Sequence, residues 1–315
     1  MLNSVKRLFS NRRPAPTIQL ETSHPVMRAE PDRSFLWLDA PDGPEVLKQR
    51  IRSGEITEAE GEALSRWCTD GYVVFEGLIP PDLIDAALDD LDRFWRERAP
   101  ISIDLLTTGE RTTIDAADPS ARSAPYKAND LYLYSENVRK IFLDEHIIRF
   151  GELLFGDKVV GCNSLMFEYS TQQPAHVDHI YMTPTPARRL FASWVACEDI
   201  RADSGPLELW AGSHRLAPYD FGDTGYHYAP ELDAEHSRYI ADAKERFARH
   251  EFLAKKGDVL LWHAMLVHGG GPIRTEGATR KSMAFHYFSR ECTGDVGLAS
   301  YGNALYMTKG VAPTA

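Results

Sequence analysis

The chain has 315 residues, of which 43% are hydrophobic and 26% charged, with a formal net charge of −11. These are globular values, enough to bury a large core, long for one ordinary domain and short for two. No stretch approaches the ~20 apolar residues that a membrane span needs. The acidic balance argues against a nucleic-acid binder, which would show a basic face, but it leaves an anionic substrate open, since a few inward-pointing cations suffice to hold one.

The first twenty residues, MLNSVKRLFSNRRPAPTIQL, hold four basic residues and no acid. They lack the apolar stretch of a signal peptide. They read as a disordered basic tail, with an organelle transit peptide or a membrane-surface helix as alternatives. Residues 1–45 show no sustained period and are expected to form a flexible arm. Thr57 with Glu60 then reads as a capping box opening a helix, and Asp70-Gly71 turns the chain into a strand over Tyr72–Phe75. In DLIDAALDDLDRFWRE, the residues Leu83, Ile84, Ala87, Leu88, Leu91 and Trp95 share one helical face. Leu131–Phe155 is a second helical region, ending at Gly156, so residues 46–157 are expected to be mainly helical.

From about residue 158 the pattern changes. VVGCNSLMFEYS, LFASWVACEDI, GPLELWAG, DVLLWHAMLVHGG and KSMAFHYFSR are short runs rich in Val, Leu, Phe, Tyr and Trp, separated by turn residues. Strands after a helical half predict an antiparallel β sandwich or barrel over 158–290, decorated by helices. A charged, helix-compatible insertion at about 226–255 is expected outside it, and residues 301–315 form a C-terminal tail. The four cysteines, Cys68, Cys162, Cys197 and Cys292, are too widely spaced for a zinc ribbon and too few for a secreted disulfide scaffold. They read as reduced thiols of a cytoplasmic protein.

The stretch QQPAHVDHIYM carries the first chemical signal. On a strand, His176 and Asp178 point to the same side, so one imidazole and one carboxylate reach a single point. A third ligand must come from elsewhere, and His268, ahead of three glycines, is the best remote candidate. Two His and one carboxylate on one face of a metal is the geometry of non-haem Fe(II) oxygenases. A binuclear hydrolase motif, His-x-His-x-Asp-His, is one ligand short, because its first position is Pro174. A hydrogen-bonded loop without chemistry also fits the stretch. His214 and His263 read as structural, the latter because its offset of five from His268 faces it the other way. His286 fits either a satisfied core or a pocket wall. Arg280 heads a run whose face continues through Ser282, Ala284 and His286; its fork suits a carboxylate, and a surface Arg is the plain alternative.

With these residues in hand, the sequence resembles the phytanoyl-CoA dioxygenase family from about residue 65 to 290. DGYVVFEGLIPPDLIDAAL is similar to the family's opening strand and helix. HVDH, DSGPLELWAGSHR and GDVLLWHAMLVHGGGPIRTEGATRKSMAFHYF follow in the family's order. The resemblance implies a double-stranded β-helix (jelly-roll, cupin-like) core in one domain over 46–300, and an Fe(II)- and 2-oxoglutarate-dependent dioxygenase. It implies His176, Asp178 and His268 as iron ligands and Arg280 as partner of the distal carboxylate of 2-oxoglutarate. Lys127, Trp194, Leu165 and Gly270 fall where the family lines the cosubstrate. The resemblance further implies dioxygen as the second cosubstrate, with release of succinate and carbon dioxide.

Two positions depart from the family pattern. Ala211 stands where Pro is usual before Gly-Ser-His, and Ile273 where Asn is frequent. Both bear on substrate more than on chemistry. A carboxylate at Asp178, where a related halogenase has Gly or Ala, implies hydroxylation or a related oxidation. The substrate is an unidentified small molecule; Arg188 and Arg189 could attract an anionic one, or be a solvated pair. A non-catalytic binding protein on the same fold is the first alternative function, and a metal-dependent hydrolase the second.

Overall fold

The computed structural model describes residues 36–294 and 296–308. The basic N-terminal twenty residues lie outside this range. The elements run α1 (Gly43–Arg52), α2 (Glu58–Asp70), β1 (Tyr72–Phe75), α3 (Pro81–Glu97), β2 (Ser102–Leu105), β3 (Glu110–Thr113), β4 (Tyr126–Asn129), α4 (Glu136–Phe142) and α5 (Glu145–Phe155). They continue with β5 (Val159–Phe167), β6 (Leu190–Ala196), β7 (Leu207–Trp210), α6 (Asp233–Arg246), β8 (Arg249–Phe252), β9 (Val259–His263), β10 (His268–Gly270), β11 (Ser282–Ser289), β12 (Leu298–Tyr301) and β13 (Ala304–Met307).

The local signals act where the sequence puts them. Thr57 and Glu60 form a reciprocal capping box at the start of α2, which satisfies two amide donors that a helix start would leave unpaired. Gly71 closes α2 with φ +78, a left-handed cap that glycine adopts without steric cost. α3 buries Ile84, Ala87, Leu91, Phe94 and Trp95, each large side chain stabilising the fold by roughly 1.5–3 kcal/mol. α5 ends at Gly156, again left-handed.

One large sheet has the order β1-β9-β6-β11-β5-β4-β2-β3, and a small one the order β10-β7-β8. Every neighbouring pair along those two orders is antiparallel; β13 joins β5 in parallel. Three apolar clusters show the layering. Trp194, Leu260, Trp262 and Ala284 of the large sheet meet Leu207 and Leu209 of the small one. The helices pack on the outer face of the large sheet through residues such as Phe142, Ile147, Phe285 and Tyr287. α6 covers the outer face of the small sheet through Ile240 and Ala243 against Trp210 and Val267. This is the expected jelly-roll sandwich with flanking helices.

The boundaries differ from expectation at four places. The arm expected over 1–45 is shorter: Leu36 and Leu38 are fully buried and α1 starts at Gly43. In the part expected to be mainly helical, 46–157, the strand expected over Tyr72–Phe75 is present as β1 at one end of the large sheet, and β2 to β4, which were not expected, extend the other end. The insertion at 226–255 holds one helix, but residues 249–252 then pair with β7 as the edge of the small sheet; its charged side chains suit an edge strand. The tail expected over 301–315 begins inside a hairpin, β12–β13, docked by the Tyr132 hydroxyl donating to the Met307 carbonyl at 2.9 Å. No described helix is long and apolar enough to cross a membrane.

Candidate metal centre

His176 and His268 come together because their backbones pair. His176 N donates to His268 O at 2.9 Å, and His268 N donates to His176 O at 3.0 Å. The glycines after His268 make this approach possible: a Cβ on Gly269 would lie 3.1 Å from the Ala175 backbone, and one on Gly270 would lie 2.9 Å from Gln172 N. This pairing is an isolated bridge rather than the expected strand, and Asp178 then opens a short 3₁₀ turn, Asp178–Ile180. The i, i+2 argument therefore holds through Val177, and the turn completes the approach.

One nitrogen from each imidazole and one Asp178 oxygen lie within 4.8 Å of one another, and no other such three-residue group exists among the described residues. His176 Nε2 is 3.6 Å and His268 Nε2 3.5 Å from Asp178 Oδ1. The opposite nitrogens are tied down: His176 Nδ1 meets Pro174 O at 2.8 Å and His268 Nδ1 meets Leu266 O at 3.0 Å. A carbonyl only accepts, so each Nδ1 carries the hydrogen and each Nε2 offers a lone pair. Burial pushes the His268 imidazole down to about 4, which keeps it neutral and able to ligate. Burial opposes ionisation of Asp178, yet its carboxyl is held well below its usual range in the metal-free site, where a proton on any of the His268, His176 and His286 rings is drawn to it. Trp262 Nε1 donates to Asp178 Oδ2 at 2.8 Å, fixing the carboxylate with Oδ1 toward the imidazoles. The donor set fits a divalent transition metal held on one face.

The three residues line a cavity of about 540 Å³ between the two sheets. Arg280, Lys127, Trp194, Leu165 and Gly270 line it too, so every residue singled out in the sequence as a metal ligand or cosubstrate contact borders one space. Arg280 is buried, and its Nε and Nη1 have no hydrogen-bond partner. Its guanidinium lies 5.6 Å from the Trp194 ring centroid and 6.0 Å from that of Phe167. Burial pushes it down to about 10, still cationic at neutral pH. A buried cation without a counter-charge costs several kcal/mol, so the cavity is built for an anion at that end. The Trp194 indole N–H is buried and unpartnered as well.

The other histidines separate as the sequence suggests. His263 turns away from the cavity, with its Nε2 3.1 Å from Asp39 Oδ2. His214 is buried beside it, with ring centroids 5.4 Å apart. His179 accepts from the Arg188 amide at 3.3 Å and does not border the cavity. Arg189 pairs with Glu291 at 3.0 Å, and neither Arg188 nor Arg189 borders it. Sequence reasoning missed Trp262, Asn163 and the Asp104–Arg111 pair, all at the cavity. The period-2 pattern of β5 and β9 carried the signal for the first two: Asn163 shares a face with Leu165, and Trp262 with Leu260.

The family model for phytanoyl-CoA dioxygenase matches residues 67–282. The chain belongs to the phytanoyl-CoA dioxygenase family. That match contains His176, Asp178, His268 and Arg280. Human peroxisomal phytanoyl-CoA dioxygenase is 25% identical over 238 residues, covering 71% of this chain and 66% of the human protein. A probable phytanoyl-CoA dioxygenase of Caenorhabditis elegans is 28% identical over 126 residues, covering 38% of this chain and 36% of its own length. Among solved structures, the non-heme alpha ketoglutarate dependent epimerase SnoN from nogalamycin biosynthesis aligns with TM-score 0.55 and 20% identity, covering 73% of this chain and 83% of that one. EctD from S. alaskensis, with 2-oxoglutarate and 5-hydroxyectoine, gives 0.55 and 18%, covering 72% and 75%. The carbocyclase SnoK gives 0.56 and 15%, covering 75% and 85%. These likenesses establish the shared fold.

Proposed function

We propose that this family member is an Fe(II)- and 2-oxoglutarate-dependent dioxygenase that hydroxylates or otherwise oxidises a small molecule. The observation that carries the reading is one cavity holding both a two-histidine, one-carboxylate face and a buried, unpaired Arg280. A metal site alone would suit many chemistries; a built anion socket beside it points to a dicarboxylate cosubstrate. The structures crystallised with iron, alpha ketoglutarate or 2-oxoglutarate on this fold support the same reading.

In this scheme His176, Asp178 and His268 hold iron through Nε2, Oδ1 and Nε2. Pro174 and Leu266 carbonyls and the Trp262 indole keep those three atoms aimed. Arg280 receives the far carboxylate of 2-oxoglutarate, bidentate geometry being what a guanidinium offers. Trp194 and Leu165 form walls for its carbon chain, Lys127 adds positive charge to the same cavity, and Gly270 leaves room beside His268. When bound, iron supplies the redox chemistry by which dioxygen and 2-oxoglutarate give succinate, carbon dioxide and an oxidised substrate. Names of same-fold proteins include an epimerase and a carbocyclase, so the fold leaves the outcome after oxidation to the substrate's placement.

The test is a small-molecule library scored by succinate release from the Fe(II)-loaded chain under air. Compounds that raise release well above the uncoupled rate are expected. No 2-oxoglutarate consumption under any condition would contradict the reading and favour a non-catalytic binding protein.

A further inference from the structure

The strand register divides the cavity floor into rungs. Trp262, Ala192, His286 and Asn163 stand side by side on β9, β6, β11 and β5. The next rung holds Trp194, Ala284 and Leu165, and the one after that Ser282 and Phe167, toward Arg280. On the proposed function, 2-oxoglutarate runs from the metal toward Arg280 over the second and third rungs. The first rung lies beside Asp178 and is left for the molecule to be oxidised.

The first rung carries a joined polar pair. His286 Nδ1 lies 3.1 Å from Asn163 Oδ1, and both residues border the cavity. The register of β11 against β5 shifts just after His286, and such a bulge re-aims a side chain. His286 Nε2 is 3.7 Å from Asp178 Oδ2, too far for a hydrogen bond, and that oxygen already accepts from Trp262. The outer atoms of the pair are thus not consumed by the metal ligand. With Asn163 Oδ1 accepting from Nδ1–H, the pair offers an acceptor at His286 Nε2 and a donor at Asn163 Nδ2. If the amide is turned over, the offer is a donor at Nε2 and an acceptor at Oδ1. Either way one donor and one acceptor face the cavity together.

None of the four residues of this rung is a carboxylate, a lysine or an arginine, and Asp178 touches it through Trp262. Arg111 lines the cavity but is bound bidentately to Asp104, at 2.6 and 3.1 Å. We infer that His286 and Asn163 together select the substrate, by gripping a neutral group that both donates and accepts, a hydroxyl or a carboxamide, next to the carbon presented to the metal. This rests on the proposed function and names the substrate class within it.

Saturation-transfer NMR on the full chain loaded with Zn(II) and 2-oxoglutarate tests it, using 1-propanol, propionamide and propionate at millimolar concentration. The two neutral probes are expected to receive saturation and propionate at least fivefold less. Asn163→Leu and His286→Leu each lower the neutral-probe signal at least fivefold, and His286→Gln, which keeps a donor and an acceptor, recovers more than half of it. The 2-oxoglutarate signal, read in the same sample, persists in all three variants and reports that they are folded. Neutral-probe signals that are absent in the wild type, unchanged in both leucine variants, or matched by propionate overturn the inference. Loss of the 2-oxoglutarate signal already in the wild type would instead overturn the reading on which it rests.

Discussion

The His176 and His268 rings stand 4.4 Å apart, centroid to centroid, across a backbone bridge that only small residues after His268 permit. The metal face therefore depends on main-chain contact as much as on ligand identity. Gly270→Val places a Cβ against Gln172 N, at 2.9 Å, and must push β10 away from the segment that carries His176. Fe(II) affinity is expected to fall at least tenfold, although all three ligands remain, as measured by anaerobic equilibrium dialysis.

Arg280 gives a prediction with opposite signs in two states. Its uncompensated burial destabilises the protein without cosubstrate, and removing such a charge is often stabilising. Arg280→Leu is expected to raise the melting temperature of the cosubstrate-free protein. It should also abolish the further rise that saturating 2-oxoglutarate gives the wild type, while Fe(II) still binds. Thermal unfolding with and without 2-oxoglutarate reads both halves.

Trp262 acts through Asp178. Replacing it by Phe keeps most of the ring packing and removes the indole donor to Oδ2. Loss of such a support costs about 10–100-fold in metal affinity. The same dialysis should show a loss of that order for Trp262→Phe, and little change for Trp194→Phe, whose indole touches no ligand.

Acid should weaken the metal-free fold through its buried histidines. Burial pushes His179 down to about 4, His214 down to about 3 and His268 down to about 4. Between the unfolded value near 6.5 and those folded values, the unfolded chain binds protons that the native one refuses. Stability therefore falls as pH drops from about 6.5 toward 4, by up to about 1.4 kcal/mol per pH unit for each histidine. Denaturant melts at pH 7, 6 and 5 should show the slope, and His214→Asn should reduce it by about one proton.

The sequence made the sandwich and the site legible for different reasons. Runs such as LFASWVA are buried on both faces, so their near-continuous apolar composition between turn residues, rather than alternation, marked them as strands. The metal site was readable because His-x-Asp is local, and the glycines after His268 announced a close neighbour. RHEF was absorbed into a helical insertion because its charges mask an edge strand. Leu36 and Leu38 looked like part of a tail because the run FLWL is too short to show a period; only their packing against the helices reveals them. The His286–Asn163 pair joins residues 123 apart in sequence, which no local pattern encodes.

The central claim is that His176, Asp178 and His268 hold iron beside an Arg280 socket for 2-oxoglutarate. Anaerobic titration of Fe(II) and 2-oxoglutarate into the purified chain, followed by visible absorption, tests it most directly. The account predicts a weak metal-to-ligand charge-transfer band that requires both additions, vanishes in His176→Ala, and needs far more 2-oxoglutarate in Arg280→Ala. No band in the wild type, together with tight Zn(II) binding and hydrolase activity, would contradict it.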